Sequence, residues 1–151
     1  MYEIAEEPIG PALEEAKGLL EKHWREIALN QHDIPLDPDY TVYEALAQAG
    51  MIACYTVRSE GALVGYAVYI VKRHPHYRNH KWAIADLFWV DPDYRDGRIG
   101  DALFDFIEDS LRAKGVHVMH TTVKVAHPAP GFLLRRRGHV KIEEGYSKRL
   151  N

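Results

Sequence analysis

Two arginines and two glycines crowd one short stretch, Arg95-Asp96-Gly97-Arg98-Ile99-Gly100. Guanidinium groups suit phosphate oxygens because they present paired N–H donors. Glycine lets the backbone turn sharply and approach a ligand with no Cβ in the way. The residues on either side define the elements that hold this stretch. Ala83 to Val90 is an apolar run followed by Asp91-Pro92-Asp93-Tyr94, and from Ile99 the residues Leu103, Phe106, Ile107 and Leu111 recur at helical spacing until Gly115. A strand therefore feeds a helix N-terminus, whose first amides lack intrahelical acceptors and carry the positive end of the helix dipole. Such a turn is a site for an anion, and a pyrophosphate fits it.

From Leu87 to Leu103 the stretch resembles the acyl-coenzyme A loop of the GNAT (GCN5-related N-acetyltransferase) family. That pattern is Gln or Arg, two residues, Gly, one residue, then Gly or Ala, after an apolar strand, a short spacer and Pro-x-Tyr. Arg95 and Gly100 hold the outer places and Pro92-Asp93-Tyr94 leads in; Arg98 replaces the middle glycine, and Gly97 stands one place earlier. The resemblance implies an α/β domain of the GNAT fold, with a mixed central sheet of about six to seven strands flanked by about four helices. It also implies an acyl-CoA-dependent N-acyltransferase that moves acetyl from acetyl-CoA, without a metal, to a primary amine by direct transfer in a ternary complex.

The same resemblance assigns roles. Arg95, Asp96, Gly97, Arg98, Ile99 and Gly100 would hold the coenzyme phosphates, and Phe88, Trp89 and Val90 would offer backbone groups to the thioester and pantetheine. Asp86 stands where many family members place a general base: it is either the acceptor of the amine proton, through water, or a structural carboxylate. The family's asparagine place after the fifth strand falls at His127; it either contacts the coenzyme, acts as an acid, or is a loop residue before Pro128. The tyrosine place, four residues before Gly138, is held by Leu134, which has no proton to give. Tyr146 is the alternative phenol. Segments His23 to Leu29, Ile34 to Pro38 and Tyr146 to Leu150 are similar to small phage and prophage GNAT proteins. Two other classes stand beside the enzyme: a GNAT-fold module that binds coenzyme A or a partner without turnover, and a nucleotide binder. The second lacks the Gly-Lys-Ser/Thr ending of a phosphate-binding loop.

The rest of the chain must position these residues. Its 151 residues are 46% hydrophobic and 27% charged, ordinary for one globular domain, here spanning residues 1–151. A net charge of −3 argues against a nonspecific nucleic-acid binder, which needs a basic face. No apolar run reaches the ~18 residues of a membrane span, and the first residues lack the basic start and apolar core of a signal peptide; the expected place is the cytoplasm. The single cysteine, Cys54, allows no internal disulfide and reads as a small buried residue. His74, His76 and His80 lie in a polar, aromatic segment and read as an exposed loop rather than a zinc site. Arg135-Arg136-Arg137 either complements a helix C-terminus or sends one arginine to a coenzyme phosphate.

Taken in order, the pattern predicts a short strand at Met1 to Ala5 and a helix from Pro11 to about Leu29. A second helix, capped by Asp39, ends near Gly50. Strands follow at Met51 to Arg58, Leu63 to Lys72 and Trp82 to Val90, the first two joined as a hairpin by Ser59-Glu60-Gly61. After the central helix come a strand at Val116 to Val125, a helix at Phe132 to Arg137, and two short strands at His139 to Ile142 and Tyr146 to Leu150. The amine acceptor is left open, and an apolar edge near the last strands makes a homodimer an expected arrangement.

Overall fold

A computed structural model describes residues 1–151. Five strands form one sheet in chain order: β1 (Tyr2–Glu6), β2 (Ile52–Ser59), β3 (Ala62–His74), β4 (Tyr77–Val90) and β5 (Val116–His120). Every neighbour is antiparallel except β4 and β5, which run parallel. A parallel pair needs a crossover, and α4 (Ile99–Ala113) supplies it. The helices α1 (Ile9–Glu15), α2 (Lys17–Ile27) and α3 (Tyr40–Gln48) precede β2, and α5 (Ala129–Arg136) follows β5.

Alternation along the strands divides the core into two halves. On one face Tyr55, Val57, Ala67, Tyr69 and Ala83 meet Ile99, Leu103, Ile107 and Leu111 of α4. On the other, Cys54, Tyr66, Val68 and Trp89 meet Ile9, Leu13, Ala16 and Leu20 of α1 and α2. The apolar stripe of α4 differs from the sequence expectation at one place. Phe104, packed edge-on against Phe88 with centroids 4.9 Å apart, is fully buried, whereas Phe106 is on the rim. Asp39 caps α3 as expected, its carboxylate accepting from Thr41 N at 3.0 Å.

Other expectations are corrected. The first helix begins at Ile9 and is interrupted at Ala16, two residues before Gly18, a poor helix former. The segment from His74 to His80 is not an irregular loop: β3 reaches His74 and β4 starts at Tyr77. Rings at the tip explain this: His74 of β3 lies 4.8 Å from Tyr77 and 4.6 Å from Trp82 across the pair, and Tyr77 stacks on Trp82 of its own strand at 5.4 Å. β5 ends at His120 instead of Val125 because its neighbour β4 diverges there. The two tail strands do not form. Lys141 and Tyr146 both bond locally to Glu144 and Arg149 pairs with Asp33, so no ladder is made. The sheet therefore has five strands and the chain five α-helices. No helix is long and apolar enough to cross a membrane.

Candidate active site

The site is built where two neighbouring strands part. β4 and β5 pair only from Lys81 to Ile84 and from Val116 to His120; beyond, β4 continues to Val90 without a parallel partner. Just past that point the register with β3 slips, Val68 facing Leu87 and Tyr69 facing Ala85, which leaves Asp86 as the extra residue of a bulge. The bulge puts Asp86 and Leu87 on the same face of the sheet. Leu87 packs with the α1–α2 half of the core, and the Asp86 carboxylate accepts from the Tyr43 hydroxyl of α3 at 2.6 Å. Burial, then the bond to Asp86, pushes the Tyr43 phenol well above its usual range, so it stays a hydrogen-bond donor. On the far side of the cleft the Tyr69 hydroxyl holds Thr121, the first residue beyond β5, at 2.8 Å.

The amide of Asp91 donates to Val64 of β3. Because backbone groups alternate sides in an antiparallel pair, those of Trp89 also face β3, while those of Phe88 and Val90 face the opening. Of the three residues expected to offer backbone groups there, two do. One group is already used: the Val90 carbonyl accepts from Arg95 Nε at 2.8 Å.

Arg95 is held throughout. Its terminal nitrogens donate to both oxygens of Glu26 on α2 at 2.9 Å each, and its guanidinium lies 5.8 Å from the Trp89 ring. Trp89 in turn donates its indole N–H to Glu26 at 2.8 Å. The Arg95 hydrogen bonds, partly opposed by burial, and then the indole bond hold the Glu26 carboxyl below its usual range, with a small contribution from His127. His23, stacked on Trp89 at 5.6 Å, is buried and shares a 2.9 Å hydrogen bond with the Tyr66 hydroxyl; burial lowers its pKa to about 4. None of Glu26, His23, Tyr43 or Tyr69 was singled out from sequence, because each belongs to an element remote in the chain from the loop it supports.

At the start of α4, Asp96 turns back and accepts from the amides of Arg98 and Ile99 at 3.0 and 3.2 Å, which lowers its own pKa. The amides of Gly97, Gly100 and Asp101 keep no protein acceptor. Gly97 has φ +81°, the left-handed region that disfavours side chains, while Arg98 at φ −105° is in an ordinary conformation. At Gly100 a Cβ would come within 2.9 Å of Leu133 Cδ2, so its absence lets α5 pack over the helix start. Arg136 and Arg137 clamp that packing through Asp101, Asp105 and Glu108. Arg98, Lys124 and Arg135 are in no ion pair.

The structure thus places the backbone groups of Phe88 and Val90 on the open side of β4, Trp89 in the core, the segment Arg95 to Gly100 at the start of α4, and Asp86 two residues beyond the last pairing of β4 with β5. His127 lies on the connection from β5 to α5, its amide donating to the Lys124 carbonyl at 3.0 Å. Tyr146 stands 89% exposed in the tail, bonded to Glu144 and to none of the others. Leu134 is buried. Burial pushes the Cys54 thiol up to about 12, which leaves it inert. No three side chains among His, Cys, Asp and Glu converge as metal ligands would.

Beyond the point where β4 and β5 part, the start of α4 offers three unsatisfied amides and the unpaired Arg98, an arrangement suited to an anion. Residues 17–139 match the family described as the acetyltransferase (GNAT) family, and the chain belongs to that family. It is accordingly an acyl-CoA-dependent N-acetyltransferase with acetyl-CoA as donor. Among solved structures it is similar to a ribosomal-protein-alanine N-acetyltransferase from Brucella melitensis biovar Abortus 2308, at TM-score 0.75 and 18% identity over 100% of both chains. It is similar to glucosamine-6-phosphate N-acetyltransferase from Arabidopsis thaliana, at TM-score 0.73 and 13% identity over 100% of this chain and 99% of that one. A third is AAC(6')-Iy in complex with the bisubstrate analogue CoA-S-monomethyl-acetylneamine, at TM-score 0.71 and 16% identity over 100% and 99%. At these identities the likeness is one of fold. No curated protein sequence matches.

Proposed function

We propose that this protein transfers acetyl from acetyl-CoA directly to a primary amine, with Asp86 as the base and Tyr43 as the residue that positions it. The observation that carries this reading is the bulge: it sets the one carboxylate of the sheet interior at the point where β4 and β5 part, and the Tyr43 hydroxyl fixes it at 2.6 Å. Coenzyme phosphates would take the free amides of Gly97, Gly100 and Asp101 and the unpaired charges of Arg98, Lys124 and Arg135, and the pantetheine would lie along the opening beside Phe88 and Val90.

The chemistry follows from these places. An alkylamine of pKa ~10.4 is protonated at pH 7, and making it neutral costs roughly 4–5 kcal/mol. Asp86 takes that proton through water. The amine nitrogen then bonds to the thioester carbon, the carbon–sulfur bond breaks, the nitrogen gives up its second proton to water to become the amide, and the sulfur leaves as thiolate. The backbone N–H of Phe88 or Val90 stabilises the carbonyl oxygen during attack. His127, on the connection from β5 to α5, would supply a hydrogen bond or proton to the sulfur; Tyr146 has no part in this reading. The structural neighbours act on a ribosomal-protein alanine, a sugar phosphate and an aminoglycoside by their names, so the fold alone does not choose the acceptor. A homodimer fits the exposed Val140, Ile142 and Leu150 of the tail, which a second copy would cover.

Thiol release from acetyl-CoA, measured over a panel of peptides, glucosamine 6-phosphate and neamine, tests the assignment. Asp86→Asn is expected to keep acetyl-CoA affinity within about twofold by calorimetry while kcat falls ~10²–10⁴-fold. A variant that keeps kcat within about threefold removes Asp86 from the base role.

A further inference from the structure

The sheet face that carries Asp86 continues away from the coenzyme groove, and no helix covers it there. Residues Tyr66 and Val68 of β3 lie under α1 and α2. The same side of the strand then presents Ile70, Lys72 and His74, paired with Ile84, Trp82 and Tyr77 of β4. Tyr77, Trp82 and His74 form a ring cluster, with Tyr77 53% exposed. From Gly61 to Ala85 the chain holds no Asp or Glu. It does hold Lys72, Arg73, Arg78 and Lys81, all exposed, and none is in an ion pair, although most cations elsewhere in this net-acidic chain are paired. β2 begins pairing at Ile52 opposite Ile70, so the β3 backbone beyond Val71 is an open edge to which an extended peptide can add.

We propose that this hairpin arm docks the acceptor, and that the acceptor is a peptide whose amine-bearing residue is followed by an acidic segment. The inference rests on Asp86 being the base. Carboxylates would meet Lys72 on this face and Arg78 at the hairpin tip, Arg73 and Lys81 pairing on the opposite face, while the apolar parts of the segment would meet the Tyr77–Trp82 stack and its backbone the free edge of β3. Trp82 lies four residues along β4 from Asp86, ~13 Å at the rise of a strand. The first acid therefore falls about four residues from the residue carrying the acceptor amine. The surface opposes a polycation such as an aminoglycoside. Net acidity of the whole chain and the open strand edge favour a peptide over a nucleic acid, which needs a broadly basic face.

The test reads binding and turnover separately on the full chain. Fluorescence anisotropy would follow three labelled probes: a dodecapeptide with a free N-terminus and Glu or Asp from the fifth residue, the same peptide with Lys in place of the acids, and a twelve-nucleotide oligouridine. The acidic peptide is expected to bind at least tenfold tighter than the basic one. Its binding should weaken at least tenfold in Lys72→Glu/Arg78→Glu, and fall as salt rises. The milder Lys72→Gln/Arg78→Gln should weaken it less, and melting curves of both variants check the fold. Acetyl-CoA affinity is expected to be unchanged in either. Asp86→Asn should bind the acidic peptide normally and not acetylate it, which separates docking from the base assignment. Equal affinity for the two peptides, wild-type affinity in the charge-reversed variant, or preferential acetylation of the basic peptide overturns the proposal. Tighter binding of the oligouridine overturns it in favour of a nucleic acid.

Discussion

Arg95 matches the phosphate-loop pattern, yet the structure spends its donors inside the protein, and the difference is measurable. Arg95→Ala removes the bond to the Val90 carbonyl and both bonds to Glu26, and it uncovers one face of Trp89. The Arg95 side chain is 42% and the Glu26 side chain 28% exposed, so the ion pair is discounted for solvent screening to roughly 1 kcal/mol. The bond to Val90 adds about 1 kcal/mol, and the contact with Trp89 roughly 0.5–1 kcal/mol. The sum, ~2–3 kcal/mol, lowers Tm by roughly 5–10 °C at the size of this domain. If Arg95 is a strut between α2 and β4, acetyl-CoA affinity at a temperature well below Tm changes by less than about threefold. If instead it turns out to grip a phosphate, losing a charged hydrogen bond of ~1.5–3 kcal/mol weakens binding roughly 10- to 150-fold.

Scanning calorimetry and titration calorimetry on the same preparation decide between these. A Tm within about 1 °C of wild type together with a Kd raised more than tenfold would refute the strut and with it the account of Glu26. Glu26→Gln gives an independent check, because it leaves the guanidinium charged and frees it from its anion. The strut reading expects a lower Tm and no tighter binding of acetyl-CoA.

Gly100→Glu adds a Cβ 2.9 Å from Leu133 Cδ2 and a negative charge beside the free amides. Acetyl-CoA affinity should drop at least tenfold by calorimetry, whereas Gly100→Ala, which displaces only the end of a leucine, should stay within a few fold; equal behaviour of the two would move the phosphate elsewhere. His23 sets a pH dependence of stability. Its folded pKa, about 4, lies below the ordinary 6.5, so the unfolded chain takes up a proton first and stability falls as pH drops through 6.5, flattening near 4. The full effect is about 3 kcal/mol at ~1.36 kcal/mol per pKa unit. Urea unfolding between those pH values should show this slope in the wild type and lose it in His23→Gln; parallel slopes would exclude His23 as the source.

Periodicity made the strands and helices legible because it reports burial, and burial is what the two core halves impose. It did not show where one apolar ring ends up: Phe104 and Phe106 lie at opposite edges of the α4 stripe, and only packing against Phe88 selects the first. The hairpin tip was hidden for a related reason. Pro75, Asn79 and three histidines carry turn-like composition, but the ring cluster of His74 from β3 with Tyr77 and Trp82 from β4 joins residues whose affinity for one another no local pattern expresses. The tail failed in the opposite direction, with a strand-like alternation at Val140, Ile142, Tyr146 and Leu150 that finds no ladder.

At the loop, the letters of the motif exchange parts. The left-handed backbone falls to Gly97, one place before the family's middle glycine, so the following residue has an ordinary conformation and can carry a side chain at no backbone cost. That residue is Arg98, whose charge is unpaired, while the motif's own arginine at position 95 is bound to Glu26 and Val90. Asp96, which occupies the amides of Arg98 and Ile99, shifts the free donors to Gly97, Gly100 and Asp101. Arg98 in place of the family's middle glycine therefore leaves three amides and one free guanidinium at the same helix start, and the positive charge engaged at Arg95 is matched three residues later.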